Sequence, residues 1–281
     1  MHVTEQQDDV IIETRGLSRV YPGVTALDQV NYRVYRNKVN VLIGENGAGK
    51  STMMKMLAGV ETPSSGVILL DGKPVTLHST QQAEKLGISI IFQELNLFPN
   101  MNVMDNIFIA NEFFQRGVIN EKYQYQLAKA LLERLELDVD PYAALDALGI
   151  GHQQLVEIAR ALSKDTRVLI MDEPTSALSQ SEVKVLFNVI EQLKRRGVTI
   201  IYISHRLEEL MEIGDHITVS GTGVSSPRVR CATSACPGSL NKWLATRKST
   251  STINPRRRGR RCCRWRGSPH CIRTVATGSM R

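Results

Sequence analysis

The sequence predicts an α/β fold: a largely parallel sheet covered by helices, with an antiparallel β-layer beside it and a helical insert within it. Three observations carry this. Short β-branched runs alternate with helical patterns along the first 219 residues. An Asp-Gly pair divides "GVILLDGKPV" (66–75) into a hairpin, the mark of an antiparallel layer. Between Glu94 and about Leu162 the strand signal gives way to helical patterning.

Taken in order, "VNVLIG" (39–44) is a buried strand, and "KSTMMKMLAG" (50–59) is a helix that Gly59 ends. The hairpin follows. "GISIIFQE" (87–94), "RVLIMDEP" (167–174) and "VTIIYISH" (198–205) are further core strands. "YQLAKALLERLEL" (125–137) represents the helical insert, and "HITV" (216–219) reads as a last strand. No internal repeat is evident.

A charge break divides the chain. Its 281 residues carry a formal net charge of +7, with 35 Lys and Arg. Residues 221–281 hold 12 Arg and 2 Lys and no acid, which leaves 21 basic residues against all 28 acidic ones before them, a balance of −7. The part patterned as a fold is therefore acidic, and the basic average gives no ground for nucleic-acid binding by it. All five cysteines and both tryptophans also follow the break, so no disulfide framework is expected before it. The start, "MHVTEQQDDV", lacks the features of a signal peptide, and no apolar run approaches the ~20 residues that span a bilayer. A cytoplasmic setting is expected, with any membrane role exercised through a partner. The expected division is one domain over 10–219, with its helical part about 95–162, and a basic tail over 220–281.

"GENGAGKS", Gly44 to Ser51, fits G-x-x-x-x-G-K-[ST] and stands between a strand and a helix. Glycines in such a loop let backbone N–H groups curl around phosphate oxygens, and the helix N-terminus adds partial positive charge. Lys50 should reach the β- and γ-phosphates and Ser51 should bind Mg²⁺. An ordinary glycine turn would not need all four fixed positions between those two elements. "VLIMDE" (168–173) is an apolar strand ending in two carboxylates. Strand alternation should point Asp172 and Glu173 apart, so they can take different roles. Asp172 fits the carboxylate that serves Mg²⁺, directly or through water, in a P-loop NTPase. Glu173 could polarise the attacking water. An Asp-Glu pair alone could equally be the acidic start of the next helix.

"GENGAGKST", "FQELNL", "LGIGHQQLVEIARAL", "IMDEPTSAL" and "IYISHRLEEL", in this order and spacing, resemble the ATP-binding subunit of ABC transporters, and more narrowly the ribose-type group of carbohydrate importers. The resemblance runs from about residue 10 to 219. It implies a RecA-like core with an antiparallel β-subdomain and a helical subdomain. It also implies ATP and Mg²⁺ as cofactors, with Gly44, Glu45, Asn46, Gly47, Ala48, Gly49, Lys50, Ser51 and Thr52 around the phosphates. Tyr21, in "RVYPGV", would stack on adenine, although an aromatic before Pro-Gly often only packs. Gln93 would touch Mg²⁺ and the attacking water and lead into the helical subdomain. His205 would contact the γ-phosphate, although a His after an apolar strand is often structural. Residues 176–179, "SALS", would reach across a dimer interface.

The resemblance also places a signature segment at Leu148, Gly149, Ile150, Gly151, His152 and Gln153, whose helix N-terminus would face the γ-phosphate on an opposite subunit. Gly149 stands where the family has a serine, and a hydrogen bond to a charged group is worth roughly 1.5–3 kcal/mol. "RNKV" (36–39) departs from the family at a turn that bears on no chemistry. The implied partners are a second nucleotide-binding domain in a head-to-tail dimer, transmembrane permease subunits and a separate substrate-binding protein. The implied location is peripheral, on the cytoplasmic face of the inner membrane, with no specific nucleic acid expected. Two alternatives remain. One is a soluble ATPase of this type acting in translation or DNA repair, although only about 55 residues separate Gln93 from the signature, too few for a long coiled-coil arm. The other is a catalytically impaired remnant.

Three readings compete for the tail. "NPRRRGRRCCRWRGSPHC" (254–271) could bind phosphates through its arginines and Trp265. Cys262, Cys263, His270 and Cys271 could hold zinc, though their spacing fits paired-ligand patterns poorly. The third is translation out of frame. A family turn of Leu-Arg-Asp-Gly type, encoded CTC CGG GAC GGG, becomes Ser-Gly-Thr-Gly on loss of one base, which matches Ser220 to Gly223. A second ATP-binding half, usual in this importer group, is then missing, and poor transport function is expected.

Overall fold

The computed structural model describes residues 9–44, 47–115 and 117–220, with the backbone alone at Leu207, Ser220 and 228–230. The signal-peptide expectation at the start and the three tail readings lie outside the described residues. So do Glu45 and Asn46. The chain divides into a unit Met1–Cys236 and a unit Pro237–Arg281, the latter wholly outside them.

The first unit is built on two sheets. An antiparallel sheet of order β2-β1-β4-β5 is formed by β1 (Val10–Tyr21), β2 (Val24–Tyr35), β4 (Ser65–Leu70) and β5 (Lys73–Val75). The hairpin read at 66–75 is its β4–β5 edge, turning at Asp71 and Gly72 with φ of 51° and 74°, as a two-residue turn requires. The long β1–β2 pair, joined at Pro22-Gly23, is an addition to the sequence reading. Its register shifts between Thr14 and Leu17 and again between Leu17 and Arg19, which breaks the alternation a strand would otherwise show.

The second sheet has the order β12-β11-β3-β10-β9-β6, from β3 (Val39–Gly44), β6 (Ile88–Ile91), β9 (Val168–Asp172), β10 (Thr199–Ile203), β11 (His216–Ser220) and β12 (Arg228–Arg230). All its pairs are parallel except β11–β12. Both faces are covered, and successive residues divide between two cores. Val39, Val41, Leu169, Met171, Ile200 and Tyr202 join the core on the side of the helical insert. Leu42, Val168, Ile170, Ile201 and Ile203 join the core that holds α1 (Lys50–Leu57) and the antiparallel sheet. This period of two dictates where the site residues point.

The remaining elements are α2 (Thr80–Lys85), α3 (Val103–Phe108), a short β7–β8 hairpin (Phe114–Gln115, Val118–Ile119), α4 (Glu121–Arg134), a 3-10 turn (Leu145–Ala147), α5 (Ile150–Leu162), α6 (Gln180–Arg195) and α7 (Leu207–Ile213). The helical insert is thus α3, α4 and α5, with β7–β8 as an unread addition. Asn102 and Asn120 cap α3 and α4 by accepting backbone N–H bonds, and Ser179 caps α6 with Glu182 in a reciprocal capping box. Gly149 precedes α5 with no side-chain cap. Among the described residues, no helix is long and apolar enough to cross a membrane.

Candidate functional site

β3, β9 and β10 run parallel and end level, with Leu42 and Asp172 both in register with Ile203. In an open α/β sheet, ligands bind outside these carboxyl ends. The loop from Gly44 runs from β3 into α1, and Gly49 is its tightest point. Its φ is 77°, and a Cβ there would lie 2.6 Å from the Ala26 carbonyl oxygen and from the Leu27 side chain. Only glycine meets both constraints. Lys50 is buried, and its Nζ donates to the Gly44 carbonyl at 2.8 Å, so the ammonium is folded back across the loop it closes. The first turn of α1 carries no acid, so no side-chain charge of its own offsets the positive end of the helix dipole there. Gly47 is also left-handed, with φ of 82°.

Asp172 has the parity of Val168 and Ile170, whose side chains pack into the core that holds α1. Its carboxylate is therefore carried to the start of α1, where it accepts a hydrogen bond from Ser51. Burial pushes this carboxyl above its ordinary value; the Ser51 bond pulls it down, and the charge of Glu173 pushes it up again. Two hard oxygen donors side by side suit a cation of the Mg²⁺ class, which takes few protein ligands and keeps water or phosphate oxygens for the rest. Among the described residues there is no cluster of three or more His, Cys, Asp or Glu placed for a metal.

The divergence of Asp172 and Glu173 has a different origin from the strand alternation expected. The strand ends at Asp172, and Glu173 is left-handed, with φ of 51° and its N–H bonded to the Ile203 carbonyl at 3.0 Å. That turn aims its carboxylate at His205, whose Nδ1 lies 3.2 Å from Glu173 Oε1. His205 is 59% exposed and Glu173 only 18%, so the imidazole faces outward from the pair. Gln93 follows the end of β6, where Ile91 pairs in register with Met171, so it stands exposed beside the end of β9.

Tyr21, at the end of β1, is half-buried. Its hydroxyl donates to Glu61, and the Arg19 guanidinium lies 4.9 Å from its ring centroid. One face of the ring therefore already carries a cation.

The signature segment forms the start of α5. A Cβ added at Gly149 would meet nothing within 4 Å, and Ile150 is 49% exposed. His152 is exposed, and Gln153 Nε2 donates to the Leu148 carbonyl at 2.9 Å. Gly151 is buried, and its N–H donates to Glu182 Oε1 at 3.2 Å. The same carboxylate accepts from Ser179 Oγ at 2.6 Å and Ser179 N at 2.8 Å. These bonds, those from Ser179 foremost, hold its pKa below the usual carboxylate value. Glu182 thus ties α6 to the signature turn, and sequence reasoning missed it. The S-x-x-E pattern at 179–182 announces a capping box but not the reach to Gly151, 31 residues away.

The structure therefore brings Lys50, Ser51, Asp172, Glu173 and His205 to one end of the sheet, and ties the signature turn to α6 through the Gly151–Glu182 bond. The ABC transporter family profile matches residues 27–176, from within β2 to just beyond β9. The chain belongs to the ABC transporter family. Among curated members, it is 47% identical over 213 residues to the ribose import ATP-binding protein RbsA 1 of Rubrobacter xylanophilus, and 48% identical over 217 residues to the xylose import ATP-binding protein XylG of Thermoanaerobacter pseudethanolicus. Each match takes in 76% of this chain and 43% of the relative, so the chain spans less than half the length of these ABC proteins. Among solved structures, an ATP-binding cassette of an ABC transporter in its ADP conformation aligns with a TM-score of 0.68 at 26% identity, over 78% of this chain and 91% of the other. CbiO1 of Clostridium perfringens, part of the ABC transporter complex CbiONQ, aligns with a TM-score of 0.70 at 25% identity, over 86% and 93%.

Proposed function

We propose that this chain is an ATP-binding and ATP-hydrolysing domain that energises import of a sugar or related small molecule through an ABC transporter. The observation that carries this is the convergence at the ends of β3, β9 and β10 of Lys50, the Ser51–Asp172 pair and the Glu173–His205 pair. Residues 44–52, Glu45 and Asn46 among them, cradle the phosphates of ATP, and Lys50 meets the β- and γ-phosphates. Ser51, Asp172 and Gln93 would hold Mg²⁺, and the ion would supply positive charge beside the phosphoryl group being transferred. Glu173 orients the attacking water and accepts its proton. With Nδ1 turned to Glu173, His205 meets the γ-phosphate through Nε2. Adenine stacks on the face of Tyr21 opposite Arg19.

The site is completed by a second domain. Gly149 to Gln153 of one domain face the γ-phosphate held by the other in a head-to-tail dimer, and residues 176–179 reach between them. Closure around two ATP molecules drives transmembrane permease subunits at the cytoplasmic face of the membrane, and a separate binding protein delivers the sugar. The names of the ribose and xylose relatives support the sugar class.

The test is ATP turnover by the full chain with and without a permease pair. Mg²⁺-dependent turnover that the permease raises and Lys50→Ala abolishes is expected. Turnover raised instead by ribosomes or DNA and indifferent to the permease would overturn the transport assignment.

A further inference from the structure

Behind the Glu173–His205 pair lies a buried carboxylate with no role in the chemistry above. Glu209, on α7, is 6% exposed. Thr175 Oγ1 donates across both of its oxygens at 2.9 Å, the Tyr202 hydroxyl donates to Oε2 at 2.9 Å, and the Ser204 hydroxyl donates to Oε2 at 2.8 Å. Arg206 Nη1 adds a bond to Oε1 at 3.3 Å. A buried carboxylate supplied with four donors is fully satisfied, and such a group fixes the positions of its donors.

The identity of those donors is informative. Thr175 lies two residues beyond Glu173, on the loop that its left-handed turn begins. Ser204 and Arg206 bracket His205, and the Arg206 N–H also donates to Ser204 Oγ at 3.0 Å, which closes the turn that presents the imidazole. Tyr202, from β10, anchors the carboxylate to the sheet itself. Burial, reinforced by the charge of Glu209, pushes the Tyr202 phenol well above its ordinary value, so it stays a donor. The two loops that carry Glu173 and His205 thus meet on one side chain, 34 and 5 residues away from Thr175 and Ser204.

We propose that Glu209 is a positioning residue for hydrolysis, holding the Glu173 loop and the His205 loop at their working separation. This rests on the roles proposed above for Glu173 and His205. Glu209 touches no substrate; it acts by fixing where the other two stand. Displacement of a reacting group by about 1 Å can cost ~100-fold in rate, so loosening this clamp is expected to lower kcat and leave nucleotide affinity nearly intact.

The test uses Glu209→Gln in the full chain, with two readouts. In turnover, kcat is expected to fall roughly 10- to 100-fold while ATP affinity changes less than about threefold, and the loss should shrink when His205→Ala is already present. The second readout needs no turnover. In histidine-labelled protein, Glu173→Gln is expected to move the His205 ring resonance in the parent chain and to leave it nearly unmoved in the Glu209→Gln chain. If Glu173→Gln moves that resonance equally in both backgrounds, the clamp does not exist, whatever the ATPase result. If the parent hydrolyses no ATP but the resonance behaves as expected, the positioning role stands and the hydrolytic assignment falls. Should Glu209→Gln fail to fold, Thr175→Val and Tyr202→Phe each remove one donor and keep the carboxylate. Unchanged kcat and an unchanged His205 response in both would overturn the proposal.

Discussion

At the carboxyl ends of β3, β9 and β10, side chains are held by the sheet that presents them. Lys50 bonds back to Gly44, Ser51 to Asp172 and His205 to Glu173, and the strands beneath are buried on both faces. The start of α5 is held otherwise. Gly149 offers no cap, Ile150 stands exposed, and the tie to the rest of the protein at this turn is a carboxylate reaching over from the neighbouring helix α6. Under the proposed function, the first region is the phosphate site and the second a surface for a second domain, and each is held by its own hydrogen bonds: Lys50–Gly44, Ser51–Asp172 and Glu173–His205 in one, Gly151–Glu182 in the other.

Removing chemistry from the first region should have the largest effect. Glu173→Gln keeps the shape of the side chain but no base, and is expected to lower turnover by ~10²- to 10⁴-fold with ATP binding retained, read by phosphate release and nucleotide titration. Equal loss of binding would mean that Glu173 serves the loop rather than the water.

The body of α5 yields the next largest effect. Burial pushes the Glu157 carboxyl up to about 7, against the opposing pull of the Asn96 N–H and the Arg160 charge. The folded chain therefore keeps a proton that the unfolded chain loses near its ordinary value of 4.5, so stability falls as pH rises from about 4.5 through 7. Glu157→Gln should remove that slope and raise stability at pH 8 by up to about 3 kcal/mol, with little change at pH 4, in urea unfolding. A slope that persists in the variant would assign it to other groups.

A sharper probe of the signature turn is Gly149→Ser. Open space surrounds that position, so the hydroxyl can enter without displacing a neighbour. If the turn meets phosphate on a second domain, ATP-dependent association should tighten roughly 10-fold or more, measured by sedimentation, while thermal stability barely moves. The smallest effect belongs to Ser179→Ala. It removes the cap of α6 and one anchor of Glu182, and should cost about 1 kcal/mol in urea unfolding.

How much of this was legible depended on how local the constraint is. The loop from Gly44 to Ser51 could be read because its requirements are contiguous: a strand, glycines at fixed places, a lysine and a helix. Asp172 and Glu173 were legible as residues, but the turn that separates them was not, since a left-handed glutamate leaves no mark in sequence. β1 and β2 escaped because bulges interrupt their alternation, so polar and apolar residues fall out of period. β7 and β8, two residues each, are too short for any period to register. Glu182 and Glu209 escaped for another reason. Each carboxylate has local partners, but its reach to the second loop, Glu182 to Gly151 and Glu209 to Thr175, spans 31 and 34 residues, and only the fold brings those pairs together.

The separation of the two regions leads to a single decisive measurement: the mass of the 281-residue Glu173→Gln chain in solution, by sedimentation, with Mg²⁺-ATP, with Mg²⁺-ADP and without nucleotide. A chain whose phosphate site and signature complete each other only across a head-to-tail pair should be a dimer with Mg²⁺-ATP and a monomer otherwise. A monomer that remains monomeric while saturated with Mg²⁺-ATP would contradict it.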